Sequence, residues 1–528
     1  MRELTVGLAI TIVTIGTLAV GAFGLRVART TSDFFVASRR VGPFLNASAI
    51  GGEYLSAASF LGVAGLVLLR GVDMLWYPIG WTAGYLLLLV FVAAPLRRSG
   101  AYTLPDFAEF RVESQTARQV ASWLVCLIGA LYLVPQFQGA GLTLRAVTGA
   151  PTWVGAVVVA FVVLVNVAAG GMRSITLVQA FQYWIKLCAL LVPALVLWLV
   201  WHHDGSPSRH LHSADWVEPL RGPHAMYLTY SLILATFLGT MGLPHVVVRF
   251  YTNHDGRSAR RTTVVVLALL SLFYLLPTAY GALGRVYASD LVTSGRTDSV
   301  VLALPDRVLG GTGATVLTAL LAAGAFAAFL STSSGLVVSI SGVLSQDLLS
   351  RRFDGVTGFR IGSVLAAGGA LLLTLVGQGL PVAHAVELAF AVAASTFCPL
   401  LLLGIWWRGL TARGAIAGLI GGGTLSGAAV LAVMVGVSLG GWAGALLAQP
   451  ALLTVPIAFV TMVGVSLADH DRVPVHVGRA MVRLHLPETV DVDRGSYRPG
   501  EDHPARRGAN GRRRQRAATP GRAGADIT

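Results

Sequence analysis

Apolar residues come in long blocks over the first 467 positions, separated by short polar loops. The blocks run roughly over 4–25, 45–69, 74–96, 119–145, 151–171, 175–201, 226–248, 262–284, 311–346, 359–379, 382–406, 413–437 and 447–467. Runs of about 18 or more apolar residues mark membrane-crossing helices. The pattern therefore predicts an all-α integral membrane protein with about 13 transmembrane helices. It forms one polytopic domain, 1–467, and the apolar pattern stops near His470. The remainder, 468–528, carries Arg-Arg and Arg-Arg-Arg runs among Gly, Ala and Asn and reads as a disordered basic tail.

Charge sets the orientation. Arg26, Arg29, Arg39, Arg40, Arg97, Arg98, Arg111, Arg118, Arg173, Arg249, Arg257, Arg260, Arg261, Arg351, Arg352, Arg360, Arg408 and Arg413 fall in loops of one side. The other side has fewer, among them Arg70, Arg145, Arg209, Arg221, Arg285, Arg296 and Arg307. The richer side is the cytoplasmic one. An odd number of spans then places the N-terminus outside and the tail inside, the expectation for a multi-pass protein of a bacterial inner membrane. The first block is longer than a signal-peptide core and lacks a clear cleavage site, so it reads as the first span.

Composition narrows the class further. Hydrophobic residues make up 55% and charged residues 12% of the chain, too few charges for a soluble protein of this length. The net charge of +14 lies in loops and tail and forms no basic module, so nucleic acid is not an expected partner; the lipid bilayer is. Cys126, Cys188 and Cys398 each sit alone in an apolar block, as free buried thiols with neither zinc nor disulfide spacing. His202, His203, His210 and His212 share a loop that reads as solvated. No catalytic constellation is present, and the expected class is not an enzyme.

Two blocks carry helix-breaking sequences. The second reads Ala49-Ile50-Gly51-Gly52-Glu53-Tyr54-Leu55-Ser56, and the seventh Gly239-Thr240-Met241-Gly242-Leu243-Pro244-His245. If 45–201 and 226–406 are inverted repeats, the breaks open each repeat at equivalent positions. Unwound backbone at mid-membrane leaves carbonyls for a cation and helix N-termini for an anion. The ninth block carries Ser331-Thr332-Ser333-Ser334. Ser333 and Ser334 are expected to bond back to their own helix, and Ser331 and Thr332 to serve as oxygen ligands. Charged residues inside a membrane mark function by default. Glu53 either carries a proton or attracts a cation, or faces an aqueous vestibule. Lys186, the only lysine, and Glu387 lie in the sixth and eleventh blocks and could pair. Arg249 reads as a helix-end residue at the cytoplasmic edge.

Several stretches together resemble the solute:sodium symporter family and, more narrowly, its acetate permease branch. They are Asp33–Arg40 (DFFVASRR), Gly52–Gly62 (GEYLSAASFLG), Thr103–Phe107 (TLPDF), Leu243–Thr252 (LPHVVVRFYT), Ser331–Leu348 (STSSGLVVSISGVLSQDL) and Leu410–Ala415 (LTARGA). The resemblance implies a five-plus-five inverted-repeat core containing broken helices. It implies a Na⁺ site made of backbone oxygens of Gly52, Leu55 and Ala328 with the hydroxyls of Ser331 and Thr332. Many members add an aspartate where this chain has Gln179; the neutral amide weakens the case for sodium and leaves H⁺ open. The implied substrate site takes Tyr54, Ser59, Gln136, Gly239 and Thr240. The function so implied is import of short monocarboxylates such as acetate, propionate or pyruvate, coupled to Na⁺ or H⁺, with no prosthetic cofactor and an open oligomeric state. Rival readings are a symporter of the same fold for proline, pantothenate or a sugar, and a transporter-like sensor module.

Overall fold

The computed structural model describes residues 2–25, 37–39, 41–208, 211, 213–350, 352–376 and 382–490. Eleven helices in this set are long and apolar enough to cross a membrane. The two longest of the eleven have enough residues for two crossings. Thr152–His203 has 52 residues, and at about 1.5 Å per residue it would outrun a hydrocarbon layer about 30 Å thick. It kinks at Gly171, whose φ of 55° and ψ of −157° suit glycine alone. The 42-residue stretch Ala58–Ser99 turns at Gly71, φ 65°. The expected count of about 13 spans rests on taking each of these as two crossings.

Both sequence-marked breaks are present. Pro43–Tyr54 ends at Leu55 (φ −76°, ψ 85°), and the chain restarts as a helix through Ala58–Gly62 and Val63–Arg70. Ala225–Gly242 ends at Leu243 (φ −71°, ψ 118°), and Pro244–Val248 follows. The second break has a local cause: Pro244 pushes the preceding residue out of the α region. The first has none so direct. There the amide of Ala57, at the start of the new helix, donates to Oε1 of Gln136 at 3.1 Å. A side chain of the helix Gln115–Thr148 thus caps a donor the break would leave unmet. We call these two broken helices the first arm and the second arm.

The helices Thr152–His203 and Gly311–Val343 pack against the first arm and against each other, and Val382–Trp406 packs against the second. Large apolar side chains such as Leu4, Trp123, Phe161, Leu275, Leu372 and Val460 face outward. An apolar exterior over polar inner contacts is what lipid demands. Of the thiols, Cys398 is buried, whereas Cys188 is exposed, because its helix turns that position outward.

One loop face is tied down by Arg118. Its guanidinium reaches Asp106 at 2.7 Å, Asp347 at 2.6 Å and Glu109, joining the helix Leu104–Val112 to the turn Leu344–Leu348. The Thr103-Leu104-Pro105-Asp106 motif supplies this carboxylate while closing a capping box with Thr103.

The tail differs from expectation over its first part. Val477–His485 is helical and docks Met481 and Leu484 against the body, while Arg483 Nε donates to the Arg98 carbonyl at 3.1 Å. Its apolar positions are too few to register as a span, yet enough to bury one face. Residues 491–528, most of Asp33–Arg40, His210 and His212 lie outside the described residues.

Gly171→Ala forces a Cβ into a strained backbone region at a cost of about 1–3 kcal/mol. The detergent-purified variant should melt several degrees below the parent. Gly368→Ala, where nothing lies within 4 Å of the added carbon, should not.

Candidate cation and substrate site

Glu53, Lys186 and Arg249 are all buried, at 1%, 0% and 0% exposure. Each must therefore find partners inside the protein. Arg249 Nε meets Glu53 Oε2 at 2.5 Å. Its other nitrogens donate to Thr176 Oγ1 at 2.8 Å and to Oε1 of Gln179. Gln179 Nε2 in turn donates to the Ser331 carbonyl at 2.8 Å. Thr332 Oγ1 donates to the Glu53 carbonyl at 2.6 Å. One network thus ties the end of the second arm, the first arm and the helices Thr152–His203 and Gly311–Val343 together. Two sequence expectations change. Glu53 faces Arg249 and not an aqueous vestibule, and Arg249, though it ends its helix, is buried against that carboxylate. Its bend after Pro244–Val248 turns it inward, toward the carboxylate that balances its charge.

Three of the five expected cation ligands converge. The carbonyls of Gly52 and Leu55 and the hydroxyl of Ser331 surround one point, and Nζ of Lys186 stands there. It donates to Gly52 O at 2.5 Å, Leu55 O at 2.7 Å and Ser331 Oγ at 2.9 Å. The Ala328 carbonyl is taken by the Ser331 hydroxyl at 3.0 Å, and Thr332 holds Glu53 as described. Ser334 bonds back to Leu330 O at 2.7 Å as expected, whereas buried Ser333 Oγ has no hydrogen-bond partner among the described residues. Lys186 does not pair with Glu387. That carboxylate accepts from the Tyr77 hydroxyl and Gln449 Nε2, with His384 Nδ1 at 3.4 Å.

Between the arms lies an aromatic cluster. The Phe390 ring packs against Trp81, Tyr132 and Tyr54, with centroids 5.7, 6.0 and 6.3 Å away. Tyr85 meets Tyr54 edge-on at 4.9 Å, and Tyr274 lies 5.8 Å from Trp81. Tyr54 and Thr240, both expected here, join directly, hydroxyl to hydroxyl, at 2.7 Å. Ser59 bonds the Tyr274 hydroxyl at 3.0 Å. Gln136 is committed to the first break. Gly239 serves packing: a Cβ there would meet the Phe390 backbone. Trp81, Tyr85 and Phe390 were not singled out in the sequence. Aromatic residues in apolar blocks carry no distinguishing signal until the fold brings them together.

Sequence and structure comparisons agree on what such an arrangement belongs to. The sodium:solute symporter family profile matches residues 34–422. The chain belongs to the sodium:solute symporter family. A curated relative, described as "Uncharacterized symporter YwcA" of Bacillus subtilis (strain 168), is 30% identical over 471 residues, covering 84% of this chain and 90% of that one. Among solved structures, a Na⁺-coupled sialic acid symporter in a substrate-bound outward-open state matches with TM-score 0.69 and 14% identity, over 88% of this chain and 97% of that one. Mhp1, a nucleobase-cation-symport-1 family transporter, matches with TM-score 0.54 and 14% identity, over 85% and 98%. A manganese transporter of Eremococcus coleocola gives the same score and identity over 82% and 95%. These structural likenesses show the fold, a core of broken helices. Family membership makes this symporter a multi-pass membrane transporter of a small solute and not an enzyme.

Within this symporter the Glu53–Arg249 pair is the most consequential charge contact. Glu53→Gln leaves the guanidinium without its carboxylate, a loss of about 3–5 kcal/mol for a buried pair. The thermal midpoint should fall sharply. The double variant Glu53→Gln/Arg249→Met should recover part of it, the sign of direct coupling.

Proposed function

We propose that this protein is a cation-coupled symporter that imports short monocarboxylates such as acetate, propionate or pyruvate by alternating access. The carrying observation is a pair of unpartnered donors in the aromatic cluster between the arms. Trp81 Nε1 and the Tyr85 hydroxyl are buried there with no hydrogen-bond partner among the described residues. A buried donor left unmet costs about 1–3 kcal/mol, so such groups call for an acceptor-bearing ligand. A carboxylate offers two oxygens that only accept. The rings of Tyr54, Tyr132, Tyr274 and Phe390 then enclose a short aliphatic chain. The Glu53 field is neutralised by Arg249, which lowers the barrier to admitting an anion nearby.

The coupling cation acts by differential binding. A cation and a solute that both favour one conformation make each other's binding tighter and turn one gradient into accumulation of the other. The oxygens of Gly52, Leu55 and Ser331 sit where the first arm meets the helix Gly311–Val343. A positive charge there fastens the two elements to each other.

Uptake of labelled pyruvate into proteoliposomes, challenged with unlabelled compounds, tests the substrate class. Acetate and propionate should compete, and proline, pantothenate and glucose should not. Tyr85→Phe should raise KM about tenfold, the loss of one hydrogen bond to a charged group. Competition by proline alone, with the acids inert, would contradict the reading.

A further inference from the structure

The residues at the expected sodium position do not leave that position to sodium. A hard cation such as Na⁺ binds through oxygens. The oxygens available are the carbonyls of Gly52 and Leu55 and the hydroxyl of Ser331, and all three already accept from Nζ of Lys186 at 2.5, 2.7 and 2.9 Å. A second positive charge at the same point would meet strong repulsion in an apolar interior. Gln179, which bonds the Ser331 carbonyl and Arg249, brings no charge to draw a free ion in.

We propose that the Lys186 ammonium is a tethered cation that replaces sodium in this site, and that the proton it carries is the coupling ion. The count of groups supports this. An ammonium has three N–H donors and finds three oxygen acceptors. The Ser331 hydroxyl is already donating to Ala328 O at 3.0 Å, so it faces Nζ as an acceptor. A neutral amine has two donors and a lone pair, and it cannot satisfy all three oxygens at once. Loss of the proton therefore frees at least one contact across the joint between the first arm and the helix Gly311–Val343. Protonation fastens that joint. The step is balanced: Nζ takes one proton from the compartment that supplies substrate and gives it to the compartment that receives it.

The surroundings make this proton count. The charged groups facing Lys186 are Glu53 on the first arm and, through it, Arg249. Helix Gly311–Val343 contains no Asp, Glu, Lys or Arg, and helix Arg2–Leu25 has its only charges, Arg2 and Glu3, at its end. From helix Gly256–Tyr287, Tyr280 donates to the Leu190 carbonyl, and Arg257, Arg260, Arg261 and Arg285 lie toward that helix's ends. On its own helix, Tyr183 donates its hydroxyl to Leu269 O, and Cys188 is exposed on another face. Glu53 and Arg249 cancel each other. The charge of the site is therefore neutral with the amine and positive with the ammonium. A monocarboxylate entering with the proton restores neutrality, so the co-transport moves no net charge. This last point rests on the monocarboxylate reading; the replacement of sodium does not.

Two measurements on the purified full-length protein separate these claims. In detergent, exchanging KCl or choline chloride for NaCl at equal ionic strength should leave the melting midpoint of the parent unchanged. A saturable, Na⁺-specific rise would overturn the proposal, whatever the substrate. In proteoliposomes without Na⁺, an inward gradient of one pH unit should accumulate labelled pyruvate up to about tenfold, the limit for one proton per solute. Pyruvate is almost wholly ionised, and protein-free liposomes give the diffusive background. Lys186→Ala should abolish that accumulation. Accumulation by Lys186→Ala equal to the parent's would also overturn the proposal. If Lys186→Ala does not fold, the parent decides alone: accumulation that requires Na⁺ sinks the idea, and accumulation without it sustains it. Should no gradient move pyruvate, the monocarboxylate reading fails, and the melting experiment still judges Lys186.

Discussion

Glu53, Arg249 and Lys186 bring three full charges together beside the first break, and an apolar interior tolerates a charge only where opposite charge or oriented oxygens surround it. The three meet that demand in different ways. Glu53 and Arg249 meet it mutually, with Gln179 and Thr176 each taking a further guanidinium donor. Lys186 meets it with two carbonyls and a hydroxyl. Those carbonyls are free only because the first arm breaks at Leu55, since an intact helix would have spent them on its own ladder. The break and the buried lysine therefore explain each other: one leaves acceptors unmet, and the other uses them.

The same network links parts that alternating access must move. Arg249 terminates the second arm, Glu53 lies on the first, and Ser331 and Thr332 belong to the helix Gly311–Val343 packed against the first. A change in the charge at Lys186 acts on Gly52, Leu55 and Ser331 together. Gln179 and Thr332 pass any shift of Ser331 and its neighbours to Arg249 and Glu53. The aromatic cluster proposed to bind the substrate is adjacent, because Tyr54 follows Glu53 directly and reaches Thr240 on the second arm. On the proposed reading, substrate at that cluster and protonation of Lys186 bias one shared set of contacts, which is what coupling requires.

Much of this was legible from residues. Gly and Pro placed both breaks, and at Leu243 the reason is local, since Pro244 excludes the α conformation before it. The run of hydroxyls at 331–334 pointed to the helix that meets the first break. Lys186 stood out as the only lysine, but its partner was not readable. One clue was present: Gln179 and Lys186 are seven residues apart, two turns of helix, so a face that brings one to the first arm brings both. Arg249 was read as an edge residue because it directly follows the seventh apolar block, and only the fold shows it turned inward to Glu53. The aromatic cluster was unreadable for a different reason. Tyr, Trp and Phe suit lipid, core and ligand equally, and contacts across more than a hundred residues decide among them. The helix Val477–His485 escaped notice because one buried face of Met481 and Leu484 is a faint signal beside the spans that precede it.

The claim on which the account turns is that a proton on Lys186, and not a sodium ion, accompanies the solute. The most direct measurement is the external pH of a weakly buffered, sodium-free suspension of proteoliposomes as pyruvate is added. The account predicts a prompt rise in external pH, one proton removed for each pyruvate taken up, absent from vesicles bearing Lys186→Ala. Pyruvate uptake with no pH change, accompanied by entry of labelled Na⁺ when that ion is supplied, would contradict it.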